Sequence, residues 1–207
     1  MKGRKIKTRK EKSRNQYVRT LIVTEGESTE PGYFRKFTTR LSRVVVVGKG
    51  KSSVRLVEEV KSMRGIDDYD RVWVVFDRDE NQDFNNAITL AEKEGYNVAW
   101  SNESFELWLY LHFQYLSTRV SRGQYITMFE REVRKCLPEY KYTKSDAKNT
   151  IGVYDLLQKF GDEKFAIKNA ERLCALYEDN NYDSHNPCTT VHLLVDELRH
   201  PETILSK

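Results

Sequence analysis

Asp77 and Asp79 stand two residues apart at the end of the apolar run Arg71-Val72-Trp73-Val74-Val75-Phe76. Side chains of a strand alternate between its faces, so positions i and i+2 share a side, roughly 6.6 Å apart along the chain and within bridging reach of one hard cation. Mg²⁺ takes oxygen ligands and is commonly held by one or two carboxylates together with water and substrate phosphate. The chemistry predicted from this pair is metal-assisted work on a phosphate, with Mn²⁺ as a substitute. Asp77, Asp79 and Glu80 would equally suit a solvated turn after a buried strand, since Asp favours loop positions.

A second acidic element strengthens the catalytic reading. Leu21-Ile22-Val23-Thr24 closes on Glu25-Gly26-Glu27-Ser28-Thr29-Glu30-Pro31, and Pro31 near a first turn announces a helix. Ligands of open α/β sheets bind outside the carboxyl ends of the strands, so acids that end two strands can meet. Glu25, Asp77 and Asp79 are therefore expected to form a three-carboxylate cluster. A fourth acid, Glu106, has Phe105, Leu107, Trp108 and Leu109 around it, and a carboxylate in apolar surroundings requires a partner. Asn102 is expected to cap the helix that carries it.

Basic residues supply the complement. Gly48-Lys49-Gly50-Lys51-Ser52-Ser53 follows a strand and opens a helix, where backbone amides and lysines can hold a phosphate. It lacks P-loop spacing, and a turn capped by Ser52 fits the same residues. Lys49 and Lys51 are candidate phosphate ligands, and Arg78, Lys144 and Lys148 candidate nucleic-acid contacts, with a solvated face as the plainer role for the last two. His185, Cys188 and His192 match no usual zinc spacing.

The elements that must position these groups follow from periodicity. Strands are expected at 19–24, 43–47, 71–76 and 96–100, with helices between them at 31–41, 53–63, 85–94 and 103–113. That alternation predicts an α/β fold with a mostly parallel central sheet flanked by helices. Past residue 120 the pattern becomes helix after helix, at 124–136, 150–160, 163–178 and 190–199. The expected organisation is a basic, disordered arm over 1–18, an α/β domain over 19–115, and an α-helical C-terminal part over 120–207 packed on it.

At 207 residues the chain can bury one substantial core. No apolar run reaches the roughly 18 residues needed to span a bilayer, and the start lacks the apolar stretch of a signal peptide. A soluble, cytoplasmic protein without membrane contact is expected. Cys136, Cys174 and Cys188 show no paired spacing, which predicts reduced and mostly buried thiols. Residues 1–19 hold nine Lys or Arg against one Glu, a net of +8, whereas the remaining 188 residues hold 26 basic and 30 acidic groups, a net of −4. A basic arm on a mildly acidic body suits a polyanion: Lys2, Arg4, Lys5, Lys7, Arg9 and Lys10 are candidate phosphate contacts.

These motifs carry a resemblance. Glu25-Gly26 after a first strand and Asp77-Arg78-Asp79 after a later one resemble the Toprim domain of topoisomerases, bacterial primases and OLD-type nucleases. Together with Ser101-Asn102-Glu103-Ser104-Phe105-Glu106-Leu107-Trp108-Leu109 and Asn186-Pro187-Cys188-Thr189, they resemble the RloB-like family of bacterial restriction and abortive-infection loci, over about residues 18 to 198. The resemblance implies a Toprim-like Rossmannoid domain and a Mg²⁺- or Mn²⁺-dependent nuclease hydrolysing DNA or RNA in anti-phage defence, acting with a partner protein of the same locus. It makes Glu25, Asp77 and Asp79 the catalytic, metal-holding acids. Similarity to OLD-type nucleases makes Ser104 and Glu106 candidates for holding a second metal. The chain shows no zinc ribbon of the primase kind and no room for a strand-passage domain, so nuclease is the economical choice among Toprim activities. The alternative is a metal-binding nucleic-acid-binding or regulatory module that acts with a partner protein and has no catalysis of its own.

Overall fold

The computed structural model describes residues 17–79, 82–145 and 148–206. Strands β1 (Val18–Thr24), β2 (Ser42–Gly48), β3 (Arg71–Asp77) and β4 (Asn97–Ser101) form one sheet in the order β2-β1-β3-β4, and every pair is parallel. The expected α/β Rossmannoid architecture is present. Interior strands of a parallel sheet are covered on both faces, so their sequences run apolar without alternation. Leu21, Ile22 and Val23 of β1 and Trp73 to Phe76 of β3 are all buried. The edge strand β2 differs, exposing Arg43 and Val45 while burying Val46.

Helices cover both faces. Helices α2 (Ser53–Ser62) and α3 (Phe84–Lys93) pack Leu56, Val57, Val60, Phe84 and Ile88 against Leu21, Val23, Val74 and Phe76. The opposite face, with Ile22, Trp73 and Val75, is covered by α1 (Thr29–Phe34), α4 (Glu106–Leu111) and the C-terminal helices. Those are α5 (Arg122–Arg134), α6 (Val153–Phe160), α7 (Glu163–Cys174) and α8 (Val191–Arg199), followed by the short α9 (Glu202–Leu205). Phe129, Leu157, Ala170 and Leu194 belong to the same cluster as the sheet residues, so the helical part shares a core with the sheet. Trp108 anchors α4 there, fully buried, with its indole N–H donating to the Tyr33 hydroxyl at 3.1 Å.

Several boundaries depart from expectation for local reasons. The helix expected at 31–41 is α1 followed by a 3-10 turn at Arg35–Phe37, after which Thr38 is extended. The helix expected from residue 103 begins at Glu106, because Glu103 has φ +71°, a left-handed conformation that a helix cannot absorb. Asn102 is not its cap: its side-chain amide donates to the Asp183 carbonyl at 3.0 Å, and its backbone N–H to the Cys188 carbonyl at 2.8 Å.

The Asn186–Thr189 motif finds its role here. Thr189 forms an antiparallel bridge with Ser101, and the Thr190 N–H donates to the Trp100 carbonyl at 2.8 Å, closing the free edge of β4. Asn186 Nδ2 donates to Glu103 Oε1 at 2.9 Å, which fixes the loop leading into α4. Cys174 and Cys188, unpaired by sequence spacing, place their sulfurs 3.5 Å apart, and Cys136 is exposed rather than buried. Among the described residues no helix is long and apolar enough to cross a membrane. The basic arm with Lys2, Arg4, Lys5, Lys7, Arg9 and Lys10 lies outside the described residues.

Candidate functional site

In the order β2-β1-β3-β4 the chain passes from β1 to one side and then returns to the other, so the direction of winding reverses between β1 and β3. Crevices outside the carboxyl ends of strands at such a reversal are where open α/β sheets bind ligands. Glu25 directly follows β1, and Asp77 is the last residue of β3. The two are in contact: the Glu25 N–H donates to the Val75 carbonyl at 2.8 Å, and Glu25 Oε2 accepts from the Asp77 N–H at 3.4 Å.

A cleft of about 230 Å³ opens at this point, lined by Gly26 to Glu30, Asp77, Phe105, Glu106, Arg122 and Lys144. Four carboxylates, Glu27, Glu30, Asp77 and Glu106, thus share its wall with two cations. Burial pushes the Asp77 carboxyl well above the usual carboxylate range; the charges of Glu30, Glu106 and Glu25 add to the rise, and Arg122 opposes it. Glu30 is raised as well, by burial and then by Glu106, against the pull of its own backbone N–H, Lys144 and Arg122. Burial works against the Arg122 charge, yet Asp77, Asp79 and Glu106 outweigh it and raise the guanidinium pKa. Crowded, desolvated carboxylates of this kind favour an added cation.

Local sequence explains how the wall is built. An ideal Cβ on Gly26 would stand 2.1 Å from Glu30 Oε2, so the absence of a side chain at 26 is what admits the Glu30 carboxylate. On Gly48 it would meet Glu27 Cα and the Gly26 carbonyl oxygen, both at 2.7 Å, so the 48–51 loop lies backbone to backbone on the acidic loop. Thr29 Oγ1 donates to the Lys144 carbonyl at 2.6 Å and ties α1 to the segment after α5. The Ser121 N–H donates to Gln124 Oε1 at 2.8 Å, half of a capping box, which starts α5 at Arg122.

The structure treats the expected site residues unequally. Glu25 and Asp77 are brought together. Of the expected trio only Asp77 lines the cleft; Glu25 and Asp79 do not. β3 ends at Asp77 and Asp79 has φ +40°, so strand alternation no longer governs where Asp79 lies. Its carboxylate instead forms an ion pair with Arg122. Glu106 does line the cleft and has the partners its apolar surroundings demand, the Tyr142 hydroxyl at 2.9 Å and Lys144 Nζ at 3.9 Å. Ser104 is fully buried outside the cleft lining, and its hydroxyl has no hydrogen-bond partner among the described residues.

Of the basic candidates among the described residues, only Lys144 lines the cleft. Arg78 is committed to Asp183 at 2.5 Å, and Lys49 to Glu59 at 2.6 Å. Lys51 and Lys148 are exposed away from the cleft wall, and Glu80 lies outside the described residues. Sequence reasoning missed Glu30 and Arg122 as site residues. Glu30 was visible in the acidic motif, six residues past the end of β1 and in the first turn of α1; nothing local in Ser121-Arg122-Gly123 pointed to Arg122.

Among the described residues no three His, Cys, Asp or Glu side chains surround one point closely enough to enclose a metal ion by themselves. The donor set in the cleft nevertheless fits a hard cation, since oxygen ligands from one or two carboxylates completed by water are what Mg²⁺ ordinarily takes. Comparison with curated proteins and with solved structures gives no match. The family model described as RloB-like protein matches residues 20–198. With nearly the whole chain matched, from β1 through α8, the protein belongs to the RloB-like family.

Proposed function

We propose that the protein is a Toprim-type, Mg²⁺- or Mn²⁺-dependent nuclease that hydrolyses phosphodiester bonds of DNA or RNA, in anti-phage defence alongside a partner protein of its locus. The observation that carries this reading is the meeting of Glu25 and Asp77 at the ends of neighbouring parallel strands, where Asp77 lines a cleft shared with Glu106, Arg122 and Lys144. Asp77 and Glu25 are the residues that would hold the cation. A divalent ion held there would supply the charge that polarises a phosphoryl oxygen and stabilises a leaving oxyanion.

The chain's own groups supply the rest. Arg122 and Lys144 present positive charge to a phosphate that would otherwise be repelled by the acids. Phe105 gives one apolar wall and is buried beneath the site, which lowers the local dielectric and strengthens each charge interaction. The basic arm lies outside the described residues, and its charge would draw a strand toward the body.

The test is cleavage of labelled single- and double-stranded DNA, RNA and tRNA with Mg²⁺ or Mn²⁺, comparing the wild type with Asp77→Asn and Glu25→Gln. Metal-dependent products that vanish in both folded variants are expected. Products that persist in both would place the chemistry elsewhere, and binding without any turnover would favour a regulatory module.

A further inference from the structure

Arg122 is an unusual first residue for α5. Helix N-termini carry partial positive charge and favour acids in the first turn, so a guanidinium there is opposed by the helix itself. Its location in the fold compensates, because the side chain enters the acidic cleft and Nη1 donates to Asp79 Oδ2. That pair uses only part of the donor fork. Nε is buried and donates to no acceptor among the described residues, and an arginine's Nε and Nη edges are shaped to grip an oxyanion with two parallel bonds. Buried donors are almost always paired; in the present position Nε is closed to solvent, so it can meet an incoming anion only once the side chain turns away from Asp79. The Asp79 pair is open to exchange, its side chains being 35% and 43% exposed for Arg122 and Asp79, and ion pairs at such exposure hold weakly.

We propose that Arg122 receives the substrate phosphate, and that its pairing with Asp79 is a resting arrangement exchanged for that phosphate when a divalent cation settles among the carboxylates. The exchange keeps charge balanced: the cation relieves the acids as the guanidinium turns from Asp79 to the anion. The inference rests on the nuclease reading of the same cleft and adds the residue that recognises the phosphodiester.

Two probes test it, each on the full chain. Mn²⁺ binding is followed by electron paramagnetic resonance, and binding of fluorescein-labelled single-stranded DNA and RNA by anisotropy in Ca²⁺. Arg122→Gln removes a competing positive charge and should tighten Mn²⁺ about tenfold. It should weaken oligonucleotide binding about tenfold and lower the salt slope by about one phosphate. Arg122→Lys keeps the charge but not the fork, so Mn²⁺ affinity should stay near wild type while oligonucleotide binding still falls.

Unchanged oligonucleotide affinity in both folded variants would overturn the inference. If Asp77→Asn abolishes Mn²⁺ binding but Arg122→Gln leaves both affinities as they were, the metal site stands and the role of Arg122 alone fails. Mn²⁺ binding indifferent to Asp77→Asn would remove the site reading and the inference with it.

Discussion

The Tyr142 hydroxyl donates a 2.9 Å hydrogen bond to Glu106 Oε1. This bond joins the segment after α5 to the first residue of α4, and it extends to α1, because Thr29 Oγ1 lies 3.5 Å from the Tyr142 oxygen and donates to the Lys144 carbonyl. Burial, and then the neighbouring Glu106 charge, raise the Tyr142 pKa, so the hydroxyl keeps its proton and remains a donor. Tyr142→Phe leaves the Glu106 carboxylate, 4% exposed, with the more distant Lys144 as its remaining partner. The expected cost is about 1–3 kcal/mol in urea unfolding. Turnover should fall by more than that loss of stability explains, because Glu106 is free to leave the cleft wall. Equal stability and equal turnover in the variant would show that the bond contributes to neither.

Asp77 is the acid whose charge the fold tolerates least, being half-buried, desolvated and surrounded by Glu30, Glu106 and Glu25. Neutralising it in metal-free buffer should therefore stabilise the protein while abolishing cleavage, the trade common to functional sites. Asp77→Asn is expected to gain about 1–2 kcal/mol, read as a Tm increase of about 2–8 °C. Adding Mg²⁺ should raise the Tm of the wild type and not of the variant, since only a ligand that binds the folded form shifts unfolding. A variant that is less stable without metal would show that the Asp77 charge is better compensated than its neighbours suggest.

Two glycines of the site make opposite demands. A methyl on Gly48 meets backbone atoms, Glu27 Cα and the Gly26 oxygen at 2.7 Å, which cannot yield without moving the acidic loop. Gly48→Ala should cost about 1–3 kcal/mol, as overpacking does. A methyl on Gly26 meets only the end of the Glu30 side chain, its Oε2 at 2.1 Å, which can swing away. Gly26→Ala should melt near the wild type yet lose activity as Glu30 is displaced. Thermal melts and cleavage rates of the two variants, taken together, distinguish a packing glycine from a site glycine.

Strands were legible because interior parallel strands have one dominant requirement, burial on both faces, and Val18–Thr24 and Arg71–Asp77 satisfy it in plain sequence. Glu25 and Asp77 followed from the strand ends, and the need of Glu106 for a partner from its apolar neighbours. Asp79 was misplaced because i, i+2 alternation holds only inside a strand, and the left-handed Asp79 backbone lies beyond it. Arg122 was invisible for another reason: its partner lies 43 positions earlier in the chain, a pairing created by tertiary packing of α5 and not by any local pattern. The Asn186–Thr189 motif was visible as a motif but silent in meaning, since its work is closing the β4 edge and holding Glu103.

His112 gives a pH dependence separate from the site. It is 2% exposed at the end of α4, its Nδ1 lies 3.0 Å from the Trp108 carbonyl, and its ring meets the Trp108 ring edge-on at 4.7 Å. Burial pushes its pKa down to about 4, although Glu163, Asp162 and the carbonyls of Trp108 and Leu109 pull the other way. In the unfolded chain the ring titrates near the ordinary value of about 6.5. Between those values the unfolded state takes up a proton that the folded state refuses, so stability is complete above about pH 6.5 and declines as the pH falls toward 4. The loss attributable to this group reaches about 3 kcal/mol at the acid end. His112→Gln keeps a side-chain N–H for the Trp108 carbonyl and cannot titrate, so its unfolding free energy should fall less steeply than that of the wild type across the same window. Urea titrations of both proteins at about pH 7, 5.5 and 4.5 provide the comparison, and parallel curves would assign the acid sensitivity to other groups.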